Sequence, residues 1–287
     1  MAMGRWALDD IPWHEFDRGR VDPDLVPIVK AASLVEYNAT DYRTYLQKVF
    51  RDDDRFVKAV DNWTEEERQH GVALARWAKL VDPEFDFDVS FKRFTDGFRP
   101  PLDVEASVRG SLTGELIARC MVETGTNSFY SALAAAADEP VLKEICRNIA
   151  ADEYAHYSLF HAYMIRYLER ERLGVRERLK VAFARIAETE DDELAYAYYA
   201  ANNWGKPYNR RANSAAYGKR TMALYTPSIV RGSVGLIMNA IGFAPHGAVV
   251  RAATVLACGV VRFQRLRWRL LARLSERGAD RAAGSHA

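Results

Sequence analysis

Two short patterns constrain this chain more than anything else in it. Glu67-Arg68-Gln69-His70 and Glu153-Tyr154-Ala155-His156 each place a glutamate three residues before a histidine. On a helix that spacing puts carboxylate and imidazole on one face, one turn apart, so each pair can grip a single ion. Composition alone would produce two such pairs roughly one time in ten. Further glutamates make the pattern specific: Glu36 lies 31 residues before Glu67, and Glu123 lies 30 before Glu153. A helix that rises 1.5 Å per residue, turns and descends antiparallel returns to nearly its starting height over such an interval. Each half of the chain thus brings one Glu level with one Glu-x-x-His.

The surrounding residues predict that all six point inward. Along the second helix Val60, Trp63, Glu67, His70, Leu74 and Trp77 fall at three- and four-residue steps, and along the fourth so do Ile149, Glu153, His156, Phe160, Tyr163 and Tyr167. Glu36 sits beside Ala32, Val35 and Ala39, and Glu123 between Cys120 and Tyr130. A solvated helix salt bridge is the ordinary reading of one such pair. Four carboxylates in a core are a different matter, because each unpaired one costs several kcal/mol or takes up a proton. Two divalent metals supply the missing charge. An oxygen-rich set with two imidazoles and no thiolate suits iron, or a mixed iron and manganese pair.

Proline and glycine divide the rest into long helical blocks without an alternating strand pattern, so the chain reads as all-α. Helices are expected at 22–50, 54–80, 108–136 and 139–172, with a further set from 175 onward. The stretch from Asp82 to Glu105 is expected to connect two antiparallel pairs of a four-helix bundle. Residues 1–172 then form the bundle with an N-terminal extension, and 173–287 a C-terminal helical extension packed on it. Met1 to Asp10 and the last twelve residues read as loose.

With 287 residues, 49% apolar, and a net charge of +1, the chain has no global pull toward nucleic acid. Cys120, Cys146 and Cys258 are too few and too dispersed for a disulfide framework or a Cys-x-x-Cys clip. A reducing cytoplasm is expected. No export signal is visible, and the longest apolar stretches are short or interrupted by Arg251, so membrane contact is expected to be peripheral at most.

The sextet is the inventory of ferritin-like carboxylate-bridged sites. Trp63 to Gly71 (WTEEERQHG) and Ile149 to Tyr157 (IAADEYAHY) resemble the two metal motifs of the soluble acyl-carrier-protein desaturases, and the resemblance spans roughly Asp22 to Arg172. Glu36 followed by Tyr42 is similar to that family's first-helix ligand region, and Glu123 with Thr126 to its third-helix Glu-x-x-Thr. The resemblance implies a ferritin-like four-helix bundle with additional C-terminal helices and two iron ions held by Glu36, Glu67, His70, Glu123, Glu153 and His156. It implies that Thr126 handles protons beside the metals and that Asp152 hydrogen-bonds a ligand histidine on the electron-entry side. It also implies a homodimer that takes electrons from a partner such as reduced ferredoxin and desaturates an acyl chain on an acyl carrier protein. Phe129, Tyr130, Phe160 and Tyr163 are then candidate walls of an acyl channel, with plain bundle core as the alternative. Arg210, Arg211, Lys219 and Arg220, or Arg265, Arg267 and Arg269, could meet an acidic carrier, and a solvated face explains them equally well. Related bundles hydroxylate other substrates, store iron or remove peroxide, or serve as binding scaffolds.

Overall fold

The structure is a computed structural model that describes residues 6–99, 104–188, 192–244 and 247–284, with side chains in the last helix described through Leu271. It is all-α: a ferritin-like bundle carrying extra helices. In chain order the helices are α1 (Val26–Tyr37), α2 (Ala39–Val49), α3 (Asp54–Val81), α4 (Phe87–Gly97), α5 (Leu112–Ala136) and α6 (Pro140–Glu171). There follow α7 (Val175–Ala187), α8 (Asp192–Asn202), α9 (Arg210–Leu224), α10 (Pro227–Ala240) and α11 (Ala248–Gly284).

Local chemistry sets the ends of the bundle helices. Asp53 caps α3 by accepting from the Phe56 amide, and Ser111 caps α5 by accepting from Gly114. At α6, Pro140 supplies a preset φ while Glu139 accepts from the Val141 and Leu142 amides. Glu139 is 1% exposed and also accepts from Trp77 Nε1 at 2.7 Å and the Asp17 amide at 3.2 Å, so one carboxylate joins α3, α6 and the N-terminal segment. Helices α1 and α3 form one packed pair, α5 and α6 the other, and α3 meets α6 across the middle. At Gly71 the first pair comes close together: a Cβ there would lie 2.8 Å from the Tyr37 amide nitrogen and 2.9 Å from the Ser33 carbonyl oxygen.

Four expectations are corrected. The helix foreseen over 22–50 is two helices, because Asn38 turns with φ −79° and ψ 9° and its amide bonds back to the Val35 carbonyl. The break falls two residues after Glu36. The connection foreseen over 82–105 contains α4, capped by Asp86 and anchored by buried Ser90 and Phe94, which packs against α8. The N-terminal stretch is not loose from Trp6 onward, since Trp6 and Ile11 are buried in the core, while Met1–Arg5 lie outside the described residues. The tail is helical through Gly284, and Ser285–Ala287 lie outside the described residues. Beyond the bundle, α8 lies on α1, α10 on α5, and α11 on α9 and α10.

Candidate metal centre

Glu36 from α1, Glu67 and His70 from α3, Glu123 from α5, and Glu153 and His156 from α6 converge in the bundle interior, and none is more than 7% exposed. They form two groups whose ligand atoms lie within 4.8 Å of one another: Glu36, Glu67, His70 and Glu153, and Glu67, Glu123, Glu153 and His156. Glu67 and Glu153 belong to both groups. The imidazole centroids are 5.8 Å apart.

The inner nitrogens show what the cluster is built for. His70 Nδ1 lies 3.3 Å from Glu153, 3.5 Å from Glu67 and 3.7 Å from Glu36. His156 Nδ1 lies 3.2 Å from Glu67, 3.7 Å from Glu123 and 3.8 Å from Glu153. Both nitrogens, together with one oxygen each of Glu123 and Glu153, are buried without a hydrogen-bond partner. Unmatched buried polar atoms are costly, and all four belong to residues of the two ligand groups. A pair of divalent cations fits this donor set.

Electrostatics tell the same story. Burial and the charge of Glu67 push the Glu36 carboxyl well above its usual range, and burial lifts Glu123 to about 8. Burial opposes charge on both imidazoles, yet the surrounding carboxylates outweigh it and raise both well above normal. Burial disfavours the anions of Glu67 and Glu153 too, but the two imidazoles facing them hold both low.

Outer contacts fix the ligands. His70 Nε2 lies 3.1 Å from Asp152, which also accepts from Trp6 Nε1 at 2.7 Å, and the Trp6 and His70 rings lie parallel with centroids 6.1 Å apart. His156 Nε2 lies 2.7 Å from Glu66. Tyr130 donates to Glu36 at 2.6 Å, and Thr126 to Glu153 at 2.6 Å. Asp152 and Thr126 thus each touch a member of the sextet. Glu66, Tyr130 and Trp6 were missed. Glu66 had a signal, since it precedes Glu67 as Asp152 precedes Glu153. Tyr42, beyond the break, donates to Glu193 at 2.9 Å instead of meeting the cluster.

Residues 28–186, over half of the chain, match the fatty acid desaturase family. The chain belongs to the fatty acid desaturase family. The match covers every residue of the sextet and extends past Arg172 into α7. No curated protein matches the chain. As a fatty acid desaturase family member it is an oxidoreductase, and its buried Glu and His clusters can hold metal. Among the described residues no helix is long and apolar enough to cross a membrane.

Of the residues foreseen as channel walls, Phe160 is fully buried against Trp63 and Phe56, and Tyr130 is committed to Glu36. Phe129 and Tyr163 are partly buried at the edges of the two core clusters.

Proposed function

We propose that the protein is a di-iron, O2-dependent desaturase of fatty acyl chains, with Glu36, Glu67, His70, Glu123, Glu153 and His156 as the ligands. The single observation that carries this reading is the pair of ligand groups sharing Glu67 and Glu153, inside a chain of the fatty acid desaturase family. A bound ferrous pair supplies reduction of dioxygen to an oxidant strong enough for an unactivated C–H bond. The overall balance takes two hydrogens from adjacent carbons and two electrons with two protons from outside, and turns one O2 into two waters.

The chain's own groups have definite tasks in this reading. Asp152 and Glu66 hold the two imidazoles in the tautomer that turns Nδ1 inward. The Thr126 hydroxyl on Glu153 is placed to hold or pass a proton at that carboxylate. Trp6 adds a further hydrogen bond to the His70–Asp152 connection, on the side by which electrons are expected to enter. With no Cys-x-x-Cys clip in the sequence, those electrons come from a partner such as reduced ferredoxin. An acyl carrier protein as substrate carrier, a homodimeric state and a cytoplasmic location complete the proposal, the last in keeping with three free thiols.

Single turnover of the chemically reduced, iron-loaded chain with an acyl-carrier thioester tests this, with mass spectrometry of the product. Loss of one hydrogen pair is expected. Unchanged substrate refutes acyl-thioester desaturation, and a gained oxygen atom assigns hydroxylation instead.

A further inference from the structure

Helix α11 has two apolar faces, and among the described residues only one is packed. Its inner face is fixed on α9 and α10: Val250 is buried, Trp268 lies over Gly218 so closely that a Cβ there would come within 2.7 Å of the ring, and Arg265 Nε donates to the Met222 carbonyl at 2.7 Å. That clamp sets the helix rotation. Facing outward, Val249, Ala252, Leu256, Gly259, Phe263, Leu266 and Leu270 follow one another at alternating steps of three and four, and every one is exposed. Leu256 is 72% exposed and Phe263 64%, values far beyond what scattered surface apolar residues need explain when they align in one stripe. Val255 and Val260 widen the stripe, which runs about 31 Å at 1.5 Å per residue.

Charge says what covers it. From Leu194 to Ser275 the sequence has twelve Lys and Arg and no Asp or Glu, although the whole chain carries a net charge of only +1. Arg251, Arg262 and Arg269 are exposed along one margin of the stripe. A second copy of α11 could match the three-four spacing, but a parallel pair would set Arg262 of each copy against Arg267 of the other, at the flanking positions where paired helices place opposite charges. An anionic lipid surface answers both features at once. Acyl tails accept the aliphatic and aromatic side chains, headgroup phosphates and carboxylates accept the arginines, and long arginine stems reach that layer from the margin.

We propose that the outer face of α11 seats the protein on an anionic lipid surface, lying in the interface plane. No described helix is long and apolar enough to cross a membrane, which leaves the lying orientation. The inference does not depend on the metal centre and is read without turnover.

The test is co-sedimentation of the full, iron-loaded chain with vesicles of phosphatidylcholine alone or mixed with phosphatidylserine. Binding to the mixed vesicles is expected, weaker by more than about tenfold to the neutral ones and weakened by added salt. Phe263→Asp with Leu266→Asp should abolish it. Arg262→Glu with Arg269→Glu should abolish the preference for phosphatidylserine, with circular dichroism unchanged in both variants because all four side chains are exposed. No sedimentation, or equal sedimentation with both vesicles, overturns the proposal. So does a dimer that Phe263→Asp with Leu266→Asp dissolves in a chain that ignores vesicles, or capture of a purified acidic carrier protein by this face without vesicle binding.

Discussion

Glu66 on α3 lies 2.7 Å from His156 Nε2 on α6, and Asp152 on α6 lies 3.1 Å from His70 Nε2 on α3. Each helix thus orients the other helix's histidine, using the acid that immediately precedes its own glutamate. The cross-bracing leaves each Nδ1 facing the carboxylates and makes the rotation of α3 depend on that of α6. The two braces differ in burial. Asp152 is 3% exposed and serves two donors, whereas Glu66 is reachable by water.

That difference separates two variants. Glu66→Ala is expected to weaken metal retention by about tenfold or more, as loss of an outer carboxylate does, with little change in Tm because water replaces it. Asp152→Ala strands the buried donors of Trp6 and His70, so it should lower stability by about 2–4 kcal/mol as well as weaken metal binding. Chelator competition and thermal melts on both variants check the contrast.

Two glycines should respond in opposite ways. Gly71→Ala drives a methyl into the Tyr37 and Ser33 backbone, forcing α1 away from α3 and Glu36 away from its partners. A loss of about 1–3 kcal/mol and of bound metal is expected. Gly125→Ala has nothing within 4 Å and sits inside α5, so it should stabilise by about 0.5–1 kcal/mol. Denaturant melts with metal analysis read both.

Glu139→Ala removes the cap of α6 and leaves the Trp77 indole N–H buried without an acceptor. A cost of about 2–4 kcal/mol is expected from the lost cap and the stranded donor together. Glu139→Gln, which keeps the acceptor oxygen, should recover part of it in the same urea titration.

Arg109 forks onto both oxygens of Glu188 at 2.6 Å, which holds that carboxyl below its usual range. A lowered folded-state value means the unfolded chain binds the proton first, so the contribution is present above about pH 4.5 and is lost as pH falls through the folded value. The stability difference between wild type and Glu188→Gln should be constant near neutrality and shrink in acid. A constant difference down to acid pH would refute the pairing.

Much of the centre was legible because helical period and burial speak together. The 31- and 30-residue intervals put six residues at one height, and apolar neighbours on both sides of His70 and His156 turned them inward. What was not legible depends on where separate segments meet. Asn38 breaks the first helix, but asparagine is compatible with a helix interior and nothing beside it announces a turn. Trp6 belongs to no periodic element, and its 2.7 Å bond to Asp152 and its ring parallel to His70 reveal it. Tyr130 looked like core, and its hydroxyl's partner lies 94 residues away. The doublets Glu66-Glu67 and Asp152-Glu153 were visible, but their crosswise use follows from the rotation of two helices about their axes, which spacing leaves open.

The central claim is that this sextet holds two metal ions bridged by Glu67 and Glu153. Anaerobic loading with ferrous iron, desalting, and measurement of iron per chain for wild type, Glu67→Ala and Glu153→Ala tests it most directly. About two irons per wild-type chain are expected, with loss of most of the iron in either variant and of the optical bands that oxygen produces. One iron or none in a fully helical wild-type chain, or two irons retained in either variant, would contradict it.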